Sequence, residues 1–284
     1  MSDSVSPRFL VFTDLDGSLL DHHDYGYRDA LPQLRQLENL GIPVIPASSK
    51  TWVEIERLRD ELGNTHPFIV ENGAGVFVPV GYFPEQPPDT VEREGYWVYS
   101  TCPPRDTWLA ALEALQPEFA GKFDYFHRAG VNGIVRMTNL SPERALEANQ
   151  RDFSEPVKWF GDNTELDLFL GKLESAGASV LKGGRFFSVC GDCDKGRALV
   201  WLRDLYCRAW GLSRCHDIAI GDSGNDRAML EVAETALAIR STVHDFPKLQ
   251  RQTGIIYSKD YGPAGWAEGV GRWLLSKQVS EAGT

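Results

Sequence analysis

The stretch FLVFTDLDGSLLD, Phe9 to Asp21, ends an apolar run in two aspartates two positions apart, followed by a glycine. A buried carboxylate is costly unless it is paired, neutralised or bound to a cation. Positions i and i+2 of a strand point to the same side, so Asp14 and Asp16 can serve one site. Gly17 lets the backbone turn sharply beside them. A carboxylate pair can divide its work, one attacking as nucleophile while the other handles a proton. Asp-Gly is also an ordinary turn dipeptide. The stretch IAIGDSGNDRAML repeats the pattern, with an apolar run, then Asp222 and Asp226 around a glycine-containing loop, then a helix. Two acidic strand ends can converge on one hard cation, and Mg²⁺ takes oxygen ligands while keeping several waters. An N-cap role for Asp222 or Asn225 accounts for the second loop but leaves the matching loop at Asp14 unexplained.

The elements that must position these groups alternate. FLVFTDLDG reads as a buried strand ending in a loop. Leu31, Leu34, Leu37 and Leu40 fall at helical spacing, and Gly41 follows as a stop. IPVIPASSK is a second apolar run that ends in small polar residues. TWVEIERLRDELG is an amphipathic helix closed by Gly63, and PFIVENGAGVFVP is a third apolar run with a polar turn inside it. Strands alternating with helices predict an α/β fold with a Rossmann-like, mostly parallel sheet. Ligands bind such sheets beyond the carboxyl ends of the strands, where Asp14–Gly17, Ser48–Lys50 and Glu71–Gly73 all fall.

The texture changes at YFPEQPPDT, residues 82–90, which is proline-rich and reads as a linker. Beyond it, helices are expected around 105–120, 141–150 and 163–176, and strands around 95–100, 131–137, 178–181 and 185–190. This predicts an inserted α+β cap over 82–190, with a core built from 1–81 and 191–284. After GDCDKG the alternation resumes. A long amphipathic helix is followed by the strand, loop and helix start of DIAIGDSGNDRAML, then by short strands at ETALAIR and GIIYSK.

Composition narrows the function. A chain of 284 residues with 42% hydrophobic and 24% charged residues is ordinary for a globular protein. The formal charge of −11 argues against nucleic acid or an anionic membrane as the main partner. It also means that an anionic substrate needs a local concentration of cations. The N-terminus, MSDSVSPRF, has no signal-peptide apolar core. No apolar run approaches the roughly 18 residues of a membrane span. The expected location is the cytoplasm. Five cysteines, an odd number, fit reduced thiols better than a disulfide framework. CGDC at 190–193 is a single CxxC without a second pair, so it reads as incidental.

Taken together, DLDGSLLD, SSK, DKG and GDSGND resemble, in order and spacing, the motifs of the haloacid dehalogenase superfamily of phosphatases. The insert resembles the large α/β cap of its Cof-like branch. VIPASSKTWVEI, PFIVENGAGVFVP and GPAGW are similar to the mannosyl-3-phosphoglycerate phosphatase family. The resemblance implies that Asp14 is the nucleophile and becomes an aspartyl-phosphate. It implies that Asp16 is the acid for the leaving oxygen and then the base for water. It places Mg²⁺ on Asp14, the Asp16 carbonyl and Asp222, with Asp226 supporting the metal directly or through water. Ser48 matches the hydroxyl that binds the phosphoryl group, and Lys195 matches the motif lysine. These roles suit a reaction whose catalysis is mainly positioning and charge stabilisation.

Other residues keep two readings. Lys50 is a phosphate contact or a solvated lysine at a helix start. Asn72, in ENG, resembles a substrate-contacting loop or is part of a plain turn. Arg136 and KGGR at 182–185 are the cap's candidates for specificity. Gly183 and Gly184 could form an anion-binding nest, with Arg185 as a fork for a carboxylate; the alternative is a glycine hairpin with a surface arginine. His22 and His23 read as exposed or as lining the entrance. GDSG at 221–224 also resembles a serine-protease loop, but the α/β alternation argues against that fold. The expected activity is a Mg²⁺-dependent phosphomonoesterase acting on a small phosphorylated sugar acid, a glycosyl-3-phosphoglycerate, foremost the mannosyl form. The rivals are a sucrose-phosphate or general sugar-phosphate phosphatase, a phosphomannomutase, and an inactive regulatory module on the same fold. Nothing in the residues fixes an oligomeric state.

Overall fold

The computed structural model describes residues 8–183 and 185–281, so the polar N-terminal stretch before Arg8 and Gly184 of the KGGR turn lie outside the described residues. Along the chain, β1 (Phe9–Thr13), α1 (Leu31–Asn39), β2 (Val44–Pro46), α2 (Trp52–Leu62), β3 (Phe68–Val70) and β4 (Gly75–Pro79) are followed by β5 (Thr90–Arg93) and β6 (Tyr96–Tyr99). Next come α3 (Arg105–Leu115), β7 (Phe123–Tyr125), α4 (Phe126–Thr138), α5 (Pro142–Ala148), β8 (Glu155–Trp159), α6 (Asn163–Ser175), β9 (Ser179–Lys182) and β10 (Phe187–Cys190). The chain closes with α7 (Lys195–Ala209), β11 (His216–Gly221), α8 (Arg227–Val232), β12 (Thr235–Arg240), β13 (Ile255–Tyr261) and α9 (Gly262–Glu281).

The central sheet is parallel, in the order β13-β12-β11-β1-β2. Strands β1, β2, β11 and β12 are covered on both faces. Val11 of β1 packs with Ile218, Leu237 and the buried Trp266 and Trp273 of α9. Its neighbours Leu10 and Phe12 pack on the other side with Leu199, Leu202 and Tyr206 of α7 and with Met229 of α8. This two-sided burial is why the strands read as unbroken apolar runs. β1 and β11 are adjacent and in register, with Thr13 beside Ile220. Asp14 and Asp222 therefore leave the same edge of the sheet, one residue past their strands.

Two antiparallel sheets complete the fold, β3-β4-β6-β5 and β7-β8-β10-β9. The first continues the central sheet through the bridge between Ala47 and Ile69. Here the structure corrects the expected linker. Residues 82–90 lead into a hairpin whose strand β6 pairs with β4. Tyr96 is buried against Phe68 and Phe77, and Phe83 against Tyr206. Burial of these aromatics keeps residues 82–100 with the core, and the chain reaches the cap sheet only beyond Cys102. The cap sheet has its own apolar cluster with α3 and α6, built on Trp108, Phe123, Phe169 and Leu173. A second small cluster joins α4 to α5 through Ile134, Ala145 and Ala148.

Two further expectations change. Residues 131–137, expected as a strand, lie in α4, because Val131, Ile134 and Val135 recur at helical spacing and face α5. Cys207 and Cys215, expected as free thiols, form a disulfide, because the end of α7 turns directly back towards β11 and brings their Cα atoms to 6.0 Å. Cys102, Cys190 and Cys193 are free. No helix among the described residues is long and apolar enough to cross a membrane.

A partly buried polar chain gives a pH prediction. The Tyr206 hydroxyl donates to Tyr82 at 2.8 Å, and Tyr82 lies 2.7 Å from His66 Nδ1. The chain of donors is complete only when Nδ1 is unprotonated and accepts. Burial, with the Arg59 charge nearby, pushes the His66 pKa down from 6.5 to about 4. The unfolded chain therefore takes up this proton near 6.5, before the folded one does. The His66 contribution is whole above that pH and is lost as pH falls towards 4, by roughly 3 kcal/mol in all at about 1.4 kcal/mol per unit. Wild type should lose more melting temperature between pH 7 and pH 4.5 than His66→Gln does. Parallel losses in the two proteins would remove His66 as the source.

Candidate active site

Local structure brings four loops to one edge of the central sheet. After β1, the chain turns with Gly17 N–H bonded to Leu20 C=O at 2.8 Å. Gly17 has φ +82°, and a Cβ there would lie 2.5 Å from Asp222 Oδ2, so only glycine lets this loop meet the β11 loop. Beyond β2, Thr51 and Glu54 form a capping box that starts α2 and fixes Ser48–Lys50 ahead of it. Beyond β10, Asp194 caps α7 by accepting from Arg197 N–H, which sets Lys195 at the first helical position. Beyond β11, Asp226 Oδ2 accepts the N–H groups of Asp222 and Ser223, at 3.1 and 3.0 Å.

The side chains converge on Lys195, which is fully buried. Its Nζ donates to Asp14 Oδ1 and to Asp226 Oδ1, each at 2.6 Å. Ligand oxygens of Asp14, Asp222 and Asp226 all lie within 4.8 Å of one another. Burial would push Lys195 down, but Asp14 and Asp226 outweigh it and hold the ammonium above its ordinary range. One ammonium does not balance three carboxylates. Burial, and then the Asp226 charge, push Asp14 well above the usual carboxylate range, against the pull of Lys195. Burial and Asp226 likewise push Asp222 up to about 6. Such a cluster is short of positive charge, and its donors are all oxygens. That donor set suits a hard divalent cation.

Asp16 lies at the mouth of the site. Lys50 Nζ donates to its Oδ2 at 2.7 Å, while its Oδ1 is buried without a protein partner among the described residues. Lys50 also sits 5.2 Å above the ring of Tyr25. Burial opposes its charge, but Asp16 and then Glu54 hold its pKa raised. Ser48 is buried, and its Oγ accepts from Lys50 N–H at 3.3 Å.

Asn72 joins this constellation. Its N–H donates to Ser48 C=O at 2.9 Å, and its Oδ1 accepts from Asn225 Nδ2 at 3.0 Å. Glu71 and Asn72 both have positive φ, +48° and +62°, so the ENG loop is held in a conformation that non-glycine residues rarely adopt. At Gly73 a Cβ would collide with the Asp194 carbonyl, so this loop also abuts the residue before Lys195. Arg185 and Arg136 are not drawn into this group. Arg185 is exposed and donates to Thr138 C=O at 3.3 Å, and Arg136 is exposed on α4. His22 and His23 are exposed.

Sequence reasoning missed His244 and Arg151, and the role of Glu71. His244 Nε2 lies 3.3 Å from Asp222 Oδ2, on the loop beyond β12. A third strand end at this edge was the available signal. The buried Glu71 carboxylate accepts from the N–H groups of Asp152 and Ser154, each at 2.8 Å, and so ties the ENG loop to the cap. Arg151 donates to Ser49 C=O at 3.1 Å from the same cap segment. Neither pairing leaves a trace in sequence spacing.

A parallel sheet that gathers two acidic loops, a lysine at a helix start and a small hydroxyl is the arrangement of a haloacid dehalogenase-like hydrolase, and the family of that description matches residues 11–81. Among curated proteins, a glucosyl-3-phosphoglycerate/mannosyl-3-phosphoglycerate phosphatase of Persephonella marina is 34% identical over 266 residues, covering 93% of this chain and 97% of its own. A mannosyl-3-phosphoglycerate phosphatase of Pyrococcus horikoshii is 34% identical over 87% of this chain and 96% of its own. The chain belongs to this family of phosphoric monoester hydrolases. Solved structures agree on the fold. A Bacteroides thetaiotaomicron phosphatase of the haloalkanoate superfamily superposes with a TM-score of 0.64 at 17% identity, covering 98% of this chain and 97% of its own. The Synechocystis sucrose-phosphatase gives 0.56 at 14% identity, covering 94% and 98%.

Proposed function

We propose that the protein is a Mg²⁺-dependent phosphomonoesterase that converts a glycosyl-3-phosphoglycerate, foremost the mannosyl form, to the glycosylglycerate and phosphate in the cytoplasm. The observation that carries the reading is the buried Asp14–Lys195–Asp226 chain with Asp222 beside it. The names of the relatives favour the substrate.

The residues fit a hard cation, since the carboxylates of Asp14, Asp222 and Asp226 supply only oxygen and lie within 4.8 Å of one another. Asp14, Asp222 and the Asp16 main-chain carbonyl would hold Mg²⁺. Asp226 would support the ion directly or through water, while its bonds to Lys195 and to the Asp222 and Ser223 N–H groups orient Lys195 and the Asp222 loop. When bound, the ion supplies positive charge that offsets repulsion between the carboxylates and a phosphate dianion.

Asp14 Oδ1 is held by Lys195, which leaves Oδ2 to attack phosphorus and form the aspartyl-phosphate. Asp16 gives a proton to the departing glyceryl oxygen, then takes one from the water that cleaves the acyl-phosphate. Ser48 holds a phosphoryl oxygen, and Lys50 fixes the Asp16 carboxylate while offering a second cation to the phosphate. Asn72 would orient the substrate from the ENG loop, and Arg185 would read the glycerate carboxylate from the cap. The specificity unit spans about 101–190, with residues 82–100 on the core side.

Phosphate release should be greatest from mannosyl-3-phosphoglycerate or its glucosyl analogue, and lower from glucose-6-phosphate, mannose-6-phosphate and sucrose-6-phosphate. It should vanish with EDTA and return with Mg²⁺. A simple hexose phosphate as best substrate would reject the substrate and keep the phosphatase. Full activity in chelated enzyme would reject the metal.

A further inference from the structure

The cap is tied to the core by two chain crossings, and each carries cysteine. The first runs from β6 to α3 through Cys102. The second runs from β10 to α7 through Cys190 and Cys193 and delivers Lys195 to the site two residues later. The crossings lie side by side. A Cβ on Gly191 would be 3.3 Å from Cys102 Sγ and 2.8 Å from Pro103 Cδ, so the absence of a side chain there brings the two segments together. Cys190 and Cys193 are buried in one small cluster with Ala74 of the loop beyond β3, and half-buried Cys102 packs against it.

The thiols sit together. Cys102 packs against Cys190 and Cys193, and Cys190 Sγ donates to Ser179 C=O in the cap sheet at 3.7 Å. The first crossing is anchored to the core as well. Cys102 N–H donates to Ser100 Oγ, whose hydroxyl donates to Ala74 C=O at 2.6 Å.

From this juxtaposition we propose that Cys102 and Cys193 are an oxidisable pair whose disulfide staples the two crossings together and slows the enzyme by tethering the cap. Cys102 is the half-exposed member and meets the oxidant first. With hydrogen peroxide, the Cys102 sulfur attacks one peroxide oxygen and the O–O bond breaks. Cys102 becomes a sulfenic acid and one water leaves. The Cys193 sulfur then displaces the sulfenic hydroxyl, forming the S–S bond and releasing a second water. Two thiols are oxidised and one peroxide is reduced to two waters.

The pair is dormant at neutral pH. The neighbouring Cys193 thiol and then burial hold the Cys102 thiol far above its ordinary range. The neighbouring Cys102 favours the Cys193 thiolate, but Cys190 and burial outweigh it. The thiolate is the reactive form, so oxidation should quicken as pH rises. Cys190–Cys193 is the competing pair, but it closes a short loop within one crossing and leaves the cap untethered.

The full chain is treated with hydrogen peroxide at pH 7 and pH 8.5, digested without reductant and mapped by mass spectrometry. Turnover is measured in parallel on whichever ester the release screen finds best. The expected result is a Cys102–Cys193 linked peptide that forms faster at pH 8.5. It should be accompanied by at least a tenfold fall in kcat, reversed by dithiothreitol. Cys102→Ser and Cys193→Ser should abolish both effects, whereas Cys190→Ser keeps them. Cys102→Ser shares the Cys207–Cys215 disulfide with wild type, so loss of activity in oxidised Cys102→Ser would assign inhibition elsewhere and overturn the proposal. A Cys190–Cys193 link in its place, a link without change in kcat, or no link while the unfolded chain is oxidised would overturn it equally.

Discussion

Asp14→Asn should leave no measurable turnover and yet melt higher than wild type in EDTA. The first half follows from chemistry. A carboxylate oxygen can attack phosphorus, whereas a neutral amide is a far weaker nucleophile. The second half follows from electrostatics. Burial and the Asp226 charge hold the Asp14 carboxyl well above its usual range, so ionised Asp14 costs the folded state free energy at neutral pH when no cation is present. The amide keeps an oxygen for Lys195 Nζ and drops that charge. The gain should disappear with Mg²⁺, because the variant has lost a ligand and gains less from the ion. Activity and melting temperature are measured on one preparation. A tenth of wild-type kcat surviving in Asp14→Asn would favour direct attack by water. A lower melting temperature in EDTA would mean that the carboxylate is already balanced.

Much of this site was legible because its chemistry lies on short motifs at strand ends. Asp14, Asp16, Asp222 and Asp226 each follow an apolar run, and their strands, β1 and β11, are buried on both faces, so the runs are unbroken. Lys195 was legible as a motif residue, but its full burial between two carboxylates was not. What escaped has a common cause. β5 and β6 belong to the core because Tyr96 fills a gap beside Phe68 and Phe77, a contact between residues far apart in sequence. The prolines of 82–90 mark a turn equally well in a linker or before a hairpin. Residues 131–137 carry apolar residues that suit either period, and α5 decided for the helix by offering Ala145 and Ala148 to Ile134. Glu71 gave no sign of its role, since its partners 152–154 come from the cap through tertiary contact alone. The Cys207–Cys215 pair escaped because an odd cysteine count speaks against a complete framework, not against a single bond.

Lys195→Met should show the opposite pattern of stability from Asp14→Asn. Methionine fits the buried space but removes the only ammonium, among the described residues, bonded to Asp14 and Asp226. Asp14, Asp222 and Asp226 are then left together without their cation. Breaking a buried pair by removing one partner costs about 3–5 kcal/mol. In EDTA the variant should melt well below wild type, and the loss should deepen as pH rises through the range in which these raised carboxyls ionise. Mg²⁺ should recover much of the melting temperature, because the ion supplies charge to the same carboxylates. It should not recover turnover, because Asp14 Oδ1 and Asp226 Oδ1 no longer share a donor that fixes the attacking group. Removal of one preorganised donor of this kind typically costs about 10²–10³ in kcat. The pair of variants therefore tests the sign of the cluster: deleting a negative charge stabilises the metal-free fold, and deleting the positive charge weakens it. A Lys195→Met protein with wild-type melting temperature in EDTA at pH 8 would show that the carboxylates do not depend on Lys195. In that case the charge balance of the site would have to come from Lys50 and His244 on its rim.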